Sequence, residues 1–240
     1  MRICSHVITN DTGLAPNPFH GYCTSALCTP SHMKAKLEKG DWLIGNSPKQ
    51  DGNRLVYAMC ISDVLDMNTY FHDVRFEKKK PKPEGNRIEQ CGDNIYYKQG
   101  DGQWRRLPSR FHNECGNFIK DVGKDFTGRP VFVSEIFYYF GDRRVNIPRD
   151  LAQVIKDRQG TSWTTGRVVQ DFVNWLETNH KLGVLGNPRD MADRRDVSEP
   201  MLTSLDPSTA RQPLRRQDSN GHQSVPQMLS TTSLRGRGCG

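Results

Sequence analysis

Aromatic residues are missing from the last quarter of this 240-residue chain. All 21 Phe, Tyr and Trp residues lie at or before Trp175, and residues 183–240 consist mainly of Arg, Asp, Ser, Thr, Gln, Pro and Gly. Such a composition buries too little apolar surface to offset the conformational entropy of an ordered chain. We therefore expect one folded domain over residues 1–182 and a disordered polar tail over residues 183–240.

The chain also lacks a strong excess of either charge. It has 34 Lys and Arg against 27 Asp and Glu, a net charge of +7, of which about +5 belongs to residues 1–186. A balance of this size permits a nucleic-acid or phosphate partner without requiring one.

No regular cysteine framework is present. The seven cysteines are odd in number and unevenly spaced, which is typical of a reducing compartment and not of a disulfide scaffold. The apolar run in residues 1–8 is too short for a signal peptide or a membrane span. We expect a cytoplasmic protein with no membrane association, and the sequence identifies no cofactor and no protein partner.

Apolar and β-branched runs predict most of the secondary structure. Strands are predicted over residues 2–9, 42–45, 55–62, 94–98, 103–107 and 131–140, and helices over residues 31–38, 67–71, 148–157 and 167–180. Glycine-containing turns favour two hairpins, one joining 42–45 to 55–62 and one joining 94–98 to 103–107. Because the longer helices follow the strands, we predict an α+β fold with a curved mixed or antiparallel sheet, flanking helices and a disordered C-terminal tail.

Residues 15–30 form the most unusual segment of the chain. It carries three prolines, an asparagine, a histidine and two cysteines, immediately before a predicted helix and strand. Prolines and glycines fix a backbone path and do not fill a core. The segment is therefore interpreted as a shaped loop that holds polar side chains against a ligand.

Two kinds of cysteine chemistry are compatible with this loop. Thiolates and imidazole are zinc ligands, and Cys23 and Cys28 together with His112 and Cys115 supply four of them. Alternatively, Cys28 or Cys23 is a nucleophile with His20 or His112 as its base. Buried thiols without either role are the plain alternative, and we assign no metal site.

Aromatic and polar residues on the predicted strands favour base recognition. Trp42, Tyr57 and the Gly92-Asp-Asn-Ile-Tyr96 turn could stack a base and bind its edge. The alternative is that the rings belong to the core and that the aspartates hold turns. The run Lys78-Lys-Lys-Pro-Lys82 can neutralise phosphates, although such runs are more often solvated loops.

Several short motifs follow one another along residues 1–180: Asn17-Pro-Phe-x-Gly21, Cys23-Thr24, Ala26-x-Cys28-x-Pro30, Gly40-Asp-Trp42, Leu55-Val-Tyr-Ala58, Gly92-Asp-Asn-Ile-Tyr96 and Phe137-x-Tyr-Phe-Gly141. Together they resemble the second family of nucleotide-modification-associated domains, bacterial and phage proteins named for gene neighbourhoods that modify DNA bases. A weaker, fold-level similarity is to PUA-like β-barrels of the EVE and ASCH groups, which would make a PUA-like barrel the alternative fold.

The resemblance implies a role near modified nucleic acid in a bacterial or phage system. Together with the shaped polar loop and the aromatic residues on predicted strands, it favours a domain that binds a nucleotide or nucleic acid, DNA in preference to RNA, in a system that modifies DNA bases. Two alternatives stay open: an enzyme that acts on the base through Cys28 and His20, and a zinc-stabilised interaction module in phage defence or counter-defence. The candidate substrate-binding residues are Asn17, Phe19, Cys23, Thr24, Trp42, Tyr57, Asp93, Asn94 and Tyr96.

Overall fold

The structure is a computed structural model that describes residues 1–27, 36–110, 130–158 and 160–191. Its strands are β1 Ile3–Val7, β2 Cys23–Ser25, β3 Trp42–Asn46, β4 Leu55–Cys60, β5 Asp63–Leu65, β6 Tyr96–Lys98, β7 Trp104–Arg106, β8 Val131–Ser134, β9 Ile136–Tyr139, β10 Thr161–Thr164 and β11 Gly183–Val184. Its α-helices are α1 Met67–His72, α2 Arg87–Gln90 and α3 Arg167–Asn179. The predicted α+β class is confirmed.

The larger sheet, sheet A, has six strands in the order β10-β1-β3-β4-β9-β11. The pairs β1–β3 and β9–β11 are parallel and the other three pairs are antiparallel, so the sheet is mixed. The described strands do not close into a barrel, because β10 and β11 lie at opposite edges of this sheet. The sequence left two arrangements open, a curved mixed or antiparallel sheet and a PUA-like barrel. The mixed sheet is the one that the described strands form.

The smaller sheet, sheet B, has three antiparallel strands in the order β2-β8-β5. Its central strand β8 is separated from β9 of sheet A by a single exposed residue, Glu135. The prediction of one uninterrupted strand over residues 131–140 was wrong. The chain bends at Glu135 and passes from one sheet to the other, a change that the unbroken apolar and aromatic composition does not reveal.

Sheet A is buried on both faces, which explains the nearly continuous apolar composition of β3 and β4. Side chains on one face of the sheet, including Ile3, Trp42 and Tyr138, pack under α3 with Phe172 and Leu176. Side chains on its other face pack against sheet B, and the far side of sheet B carries a third apolar cluster with α1 and β6. The described part of the domain is therefore layered as helix, sheet A, sheet B and an outer layer.

The two predicted hairpins, β3–β4 and β6–β7, are both confirmed by their antiparallel registers. The predicted helix at 67–71 is α1 and that at 167–180 is α3, whereas residues within 148–157 form a 3-10 helix, Arg149–Val154. The helix predicted at 31–38 falls mostly outside the described residues. Within the described part of the chain, no helix has the length and hydropathy that crossing a membrane requires.

The described chain continues past residue 182 in contact with the domain. The β11 strand pairs with β9, and the backbone N–H of Asp190 donates to the carbonyl of Asp11 at 2.7 Å. The rest of the predicted tail, residues 192–240, lies outside the described residues.

Candidate functional site

Residues 17–24 form a small hairpin, called the N-terminal loop below. Asn17 and Thr24 exchange two backbone hydrogen bonds of 2.8 and 2.9 Å, which close the loop at its base. At its tip, His20 and Gly21 have left-handed backbone conformations, with φ of 61° and 87°. Gly adopts this conformation without steric cost, but His does not. The loop thus presents an exposed imidazole on a defined turn.

Lys79 joins the N-terminal loop to the lysine run. Its ammonium group donates three hydrogen bonds, to Asn17 O at 2.8 Å, Asn17 Oδ1 at 2.9 Å and Tyr22 O at 2.7 Å. Only 1% of Lys79 is exposed, and burial lowers the pKa of its amine to about 8. All three acceptors are neutral oxygens of the N-terminal loop, so their hydrogen bonds replace those that the ammonium would make with water.

Asp93 is a second buried charge beside Lys79. Its Oδ2 accepts from Thr24 Oγ1 at 2.6 Å and its Oδ1 accepts from Tyr70 OH at 2.8 Å. Burial raises the pKa of Asp93, while Lys79 and these two donors oppose that rise. The carboxylate therefore ties β2, which continues the N-terminal loop, to α1.

Gly92 and Asn94 hold this turn against the backbone of the lysine run. A Cβ on Gly92 would lie 2.3 Å from Pro81 N and 2.5 Å from Lys79 O, so only glycine fits. The Asn94 N–H donates to Lys79 O at 3.1 Å, and the Asn94 side-chain amide donates to the carbonyls of Tyr70 and Phe76. Three parts of the chain that are far apart in sequence thus share one buried network.

A family model described as nucleotide modification associated domain 2 matches residues 1–195. The chain belongs to that family. Membership associates this domain with nucleotide modification, and the matched range contains the whole buried network of Asn17, Thr24, Lys79 and Asp93. A search of curated proteins found no match, and neither did a search of solved structures.

The fold of this family member brings together five of the residues predicted to bind substrate: Asn17, Cys23, Thr24, Asp93 and Asn94. Cys23 is fully buried between the sheets, and burial raises the pKa of its thiol to about 12. It is therefore a neutral thiol at pH 7, unsuited to nucleophilic attack. Phe19 is buried within the N-terminal loop, and Tyr96 belongs to the outer apolar cluster.

Trp42 and Tyr57 lie on opposite faces of sheet A. Trp42 is stacked on Tyr138 under α3, with ring centroids 6.4 Å apart. Tyr57 faces sheet B, in the same apolar cluster as Cys23. The sheet therefore separates Trp42 from the buried network, whereas Tyr57 lies on the network's side of it.

The predicted base, His20, lies at the exposed tip of the N-terminal loop. Partial burial, together with the charges of Lys79 and Lys78, lowers its pKa, so the ring is neutral at pH 7. The predicted nucleophile Cys28 and the candidate zinc ligands His112 and Cys115 lie outside the described residues. The described residues contain no group of three His, Cys, Asp or Glu side chains placed to hold a metal.

Lys79 is the site residue that the sequence reasoning missed. It stands in the middle of four lysines, and the run was interpreted as a solvated loop or a phosphate contact. Residues 74–79 form two short 3-10 helical turns with a kink at Phe76. Phe76 and Lys79 are the buried residues of this segment, and the spacing of three positions between them was the available signal.

A second polar arrangement crosses sheet A in one row, from His6 through Gly45 and Tyr57 to Tyr139. Because Gly45 has no side chain, the Tyr57 ring lies over it and the Tyr57 hydroxyl comes within 2.6 Å of His6 Nε2. Burial lowers the pKa of His6 to about 4. His6 is thus a buried neutral imidazole at pH 7.

The lowered pKa of His6 predicts that the free energy of unfolding depends on pH. Between pH 6.5 and 4 the unfolded chain binds a proton at His6 that the folded chain does not, so stability from this group is lost as pH falls. In urea titrations, the stability advantage of the wild type over His6→Gln should shrink by about 2 kcal/mol between pH 7 and 5. Buried carboxylates titrate in both proteins and cancel in the difference. A constant difference across that range would contradict the assignment.

Proposed function

We propose that this domain binds a nucleotide or nucleic acid, within a system that modifies DNA bases, at the surface formed by the N-terminal loop and the lysine run. The observation that carries the proposal is the triple hydrogen bond from Lys79 to the loop. It fixes the exposed His20 beside Lys78 and Lys82, whose charges act on the imidazole. A rigid, basic turn of this kind suits a phosphate group and the base attached to it.

The charges around the loop support a phosphate partner. Residues 75–90 contain six Lys and Arg against three Glu. Two lysines of the run have carboxylate partners, Lys80 with Glu77 at 2.5 Å and Lys82 with Glu89 at 2.9 Å. These ion pairs are partly exposed and therefore weak, so a phosphate can compete for the same lysines.

The binding test uses fluorescence anisotropy with modified and unmodified oligonucleotides at several salt concentrations, and with free nucleotides as competitors. Lys78→Glu and Lys82→Glu should each weaken binding about tenfold at low salt. If each lysine contacts one phosphate, each change should reduce the slope of log K against log salt by about 1. Lys181→Glu is the matched control, because Lys181 is an exposed lysine that follows α3, far along the chain from the N-terminal loop and the lysine run. Absence of binding to every oligonucleotide and nucleotide at low salt would refute the proposal.

A second candidate function is catalysis on the base, with His20 as the general base. Its exposed, neutral imidazole on a fixed turn favours this role, since a base must be unprotonated and accessible. Mass spectrometry of DNA from cells expressing the protein tests it. Loss of a modification in His20→Ala, with binding retained, would support catalysis. A modification that survives both His20→Ala and Cys28→Ser would refute the Cys/His mechanism.

A further inference from the structure

The β6–β7 hairpin alternates aromatic and basic side chains across its two strands. Tyr97 lies opposite Arg105, and Lys98 lies opposite Trp104, whose ring centroid is 5.2 Å from the Lys98 ammonium. Residues 96–107 contain three Lys and Arg and one Asp. Aromatic rings with interleaved cations are the combination that binds nucleic acid through its bases and its backbone together.

Tyr97 is the ring of this hairpin that is placed for stacking. It is parallel to Phe71 of α1, with ring centroids 4.4 Å apart and an interplanar angle of 20°. Phe71 is only 9% exposed, whereas Tyr97 is half-buried. A further aromatic ring added to this stack would therefore be placed on Tyr97 and not on Phe71.

The stack is joined to the lysine run. The Lys80 ammonium lies 4.2 Å from the centroid of Phe71 and so holds α1 and the run together. The hairpin also follows directly from the Gly92-Asp-Asn-Ile-Tyr96 turn, whose backbone contacts Lys79 and Pro81. Tyr97 and the lysines therefore belong to one continuous part of the domain.

We infer that Tyr97 stacks an unpaired base, and that the nucleic acid bound by this domain is single-stranded. This inference rests on the proposed function and restricts the ligand of that function to single-stranded nucleic acid. A base inside a duplex is covered on both faces by its neighbours, whereas every base of a single strand can offer a face to an aromatic ring. The cations near the ring would then follow the backbone of the strand.

The test measures anisotropy of one labelled sequence as a single strand and as a duplex, with the full chain. The single strand should bind at least tenfold more tightly, and Tyr97→Ala should weaken single-strand binding about tenfold while leaving duplex binding unchanged. Tyr97→Phe should bind like the wild type, because stacking needs the ring and not the hydroxyl. Trp163→Ala is the control, since Trp163 is a 41% exposed aromatic residue on the edge strand β10.

Circular dichroism and thermal melts of each variant separate misfolding from lost binding, and a binding loss that Tyr97→Phe also shows would contradict stacking. Equal affinity for strand and duplex, with no effect of Tyr97→Ala, would overturn this inference and leave the proposed function intact. Absence of binding to both ligands would refute the proposed function itself.

Discussion

Replacing Lys79 with methionine should lower the free energy of unfolding by about 3 kcal/mol. Methionine fills nearly the same space but cannot donate, so Asn17 O, Asn17 Oδ1 and Tyr22 O would each lose a hydrogen bond. Asp93 would also lose the nearest compensating positive charge. Removal of the buried ammonium offsets part of this loss, because its burial is itself unfavourable.

Lys78→Met is the matched control for this change. Lys78 is the preceding residue of the same run but is exposed, so its replacement should change stability by less than about 0.5 kcal/mol. Chemical denaturation measures both values, and amide hydrogen exchange reports on the N-terminal loop. Lys79→Met should expose the amides of residues 17–24, which Lys78→Met should leave protected. Equal stability and equal protection in the two variants would show that Lys79 does not hold the loop.

Gly92→Ala should destabilise the domain by a similar amount, about 3 kcal/mol, for a purely steric reason. The new Cβ would lie 2.3 Å from Pro81 N, 2.5 Å from Lys79 O and 2.7 Å from Lys80 C. All three are backbone atoms, so no side-chain rotation relieves the overlap. The turn that carries Asp93 must then move away from the lysine run.

Gly100→Ala is the control, because a Cβ at Gly100 meets no atom within 4 Å. We expect that variant to unfold at the same denaturant concentration as the wild type, whereas Gly92→Ala should unfold at a lower concentration. Gly92→Ala should also weaken oligonucleotide binding if the surface beside the N-terminal loop is the binding site. Full stability of Gly92→Ala would mean that the two backbones are not in contact.

The sequence predicts the local elements of this domain well, because the signals for them are local. The apolar stripe of α3 and the glycine turn of β6–β7 lie within the segments that they specify. The bend at Glu135 was missed because residues on both sides of it have the composition of one strand. Its cause is the arrangement of two sheets, which no short window of sequence contains.

Only some members of the buried network could be predicted from the sequence, and their arrangement could not. Asn17, Thr24 and Asp93 stand in motifs that the sequence singles out, but the contact between Thr24 and Asp93 joins positions 69 residues apart. Lys79 resembles its neighbours in every property except its burial, which depends on the same long-range contacts. The sequence therefore singles out part of this network, while the place of Lys79 in it and the pairing of its members follow from the three-dimensional structure.

The passage of the chain from β8 to β9 at Glu135 determines the order in which the protein can assemble during synthesis. In sheet B, β2 and β5 flank β8 and do not pair with each other; in sheet A, β4 has no partner on its outer side until β9 is present. Both missing strands lie within residues 131–139. Neither sheet is therefore complete until that short segment has left the ribosome, and a nascent chain that stops before it carries unpaired strand edges in both sheets.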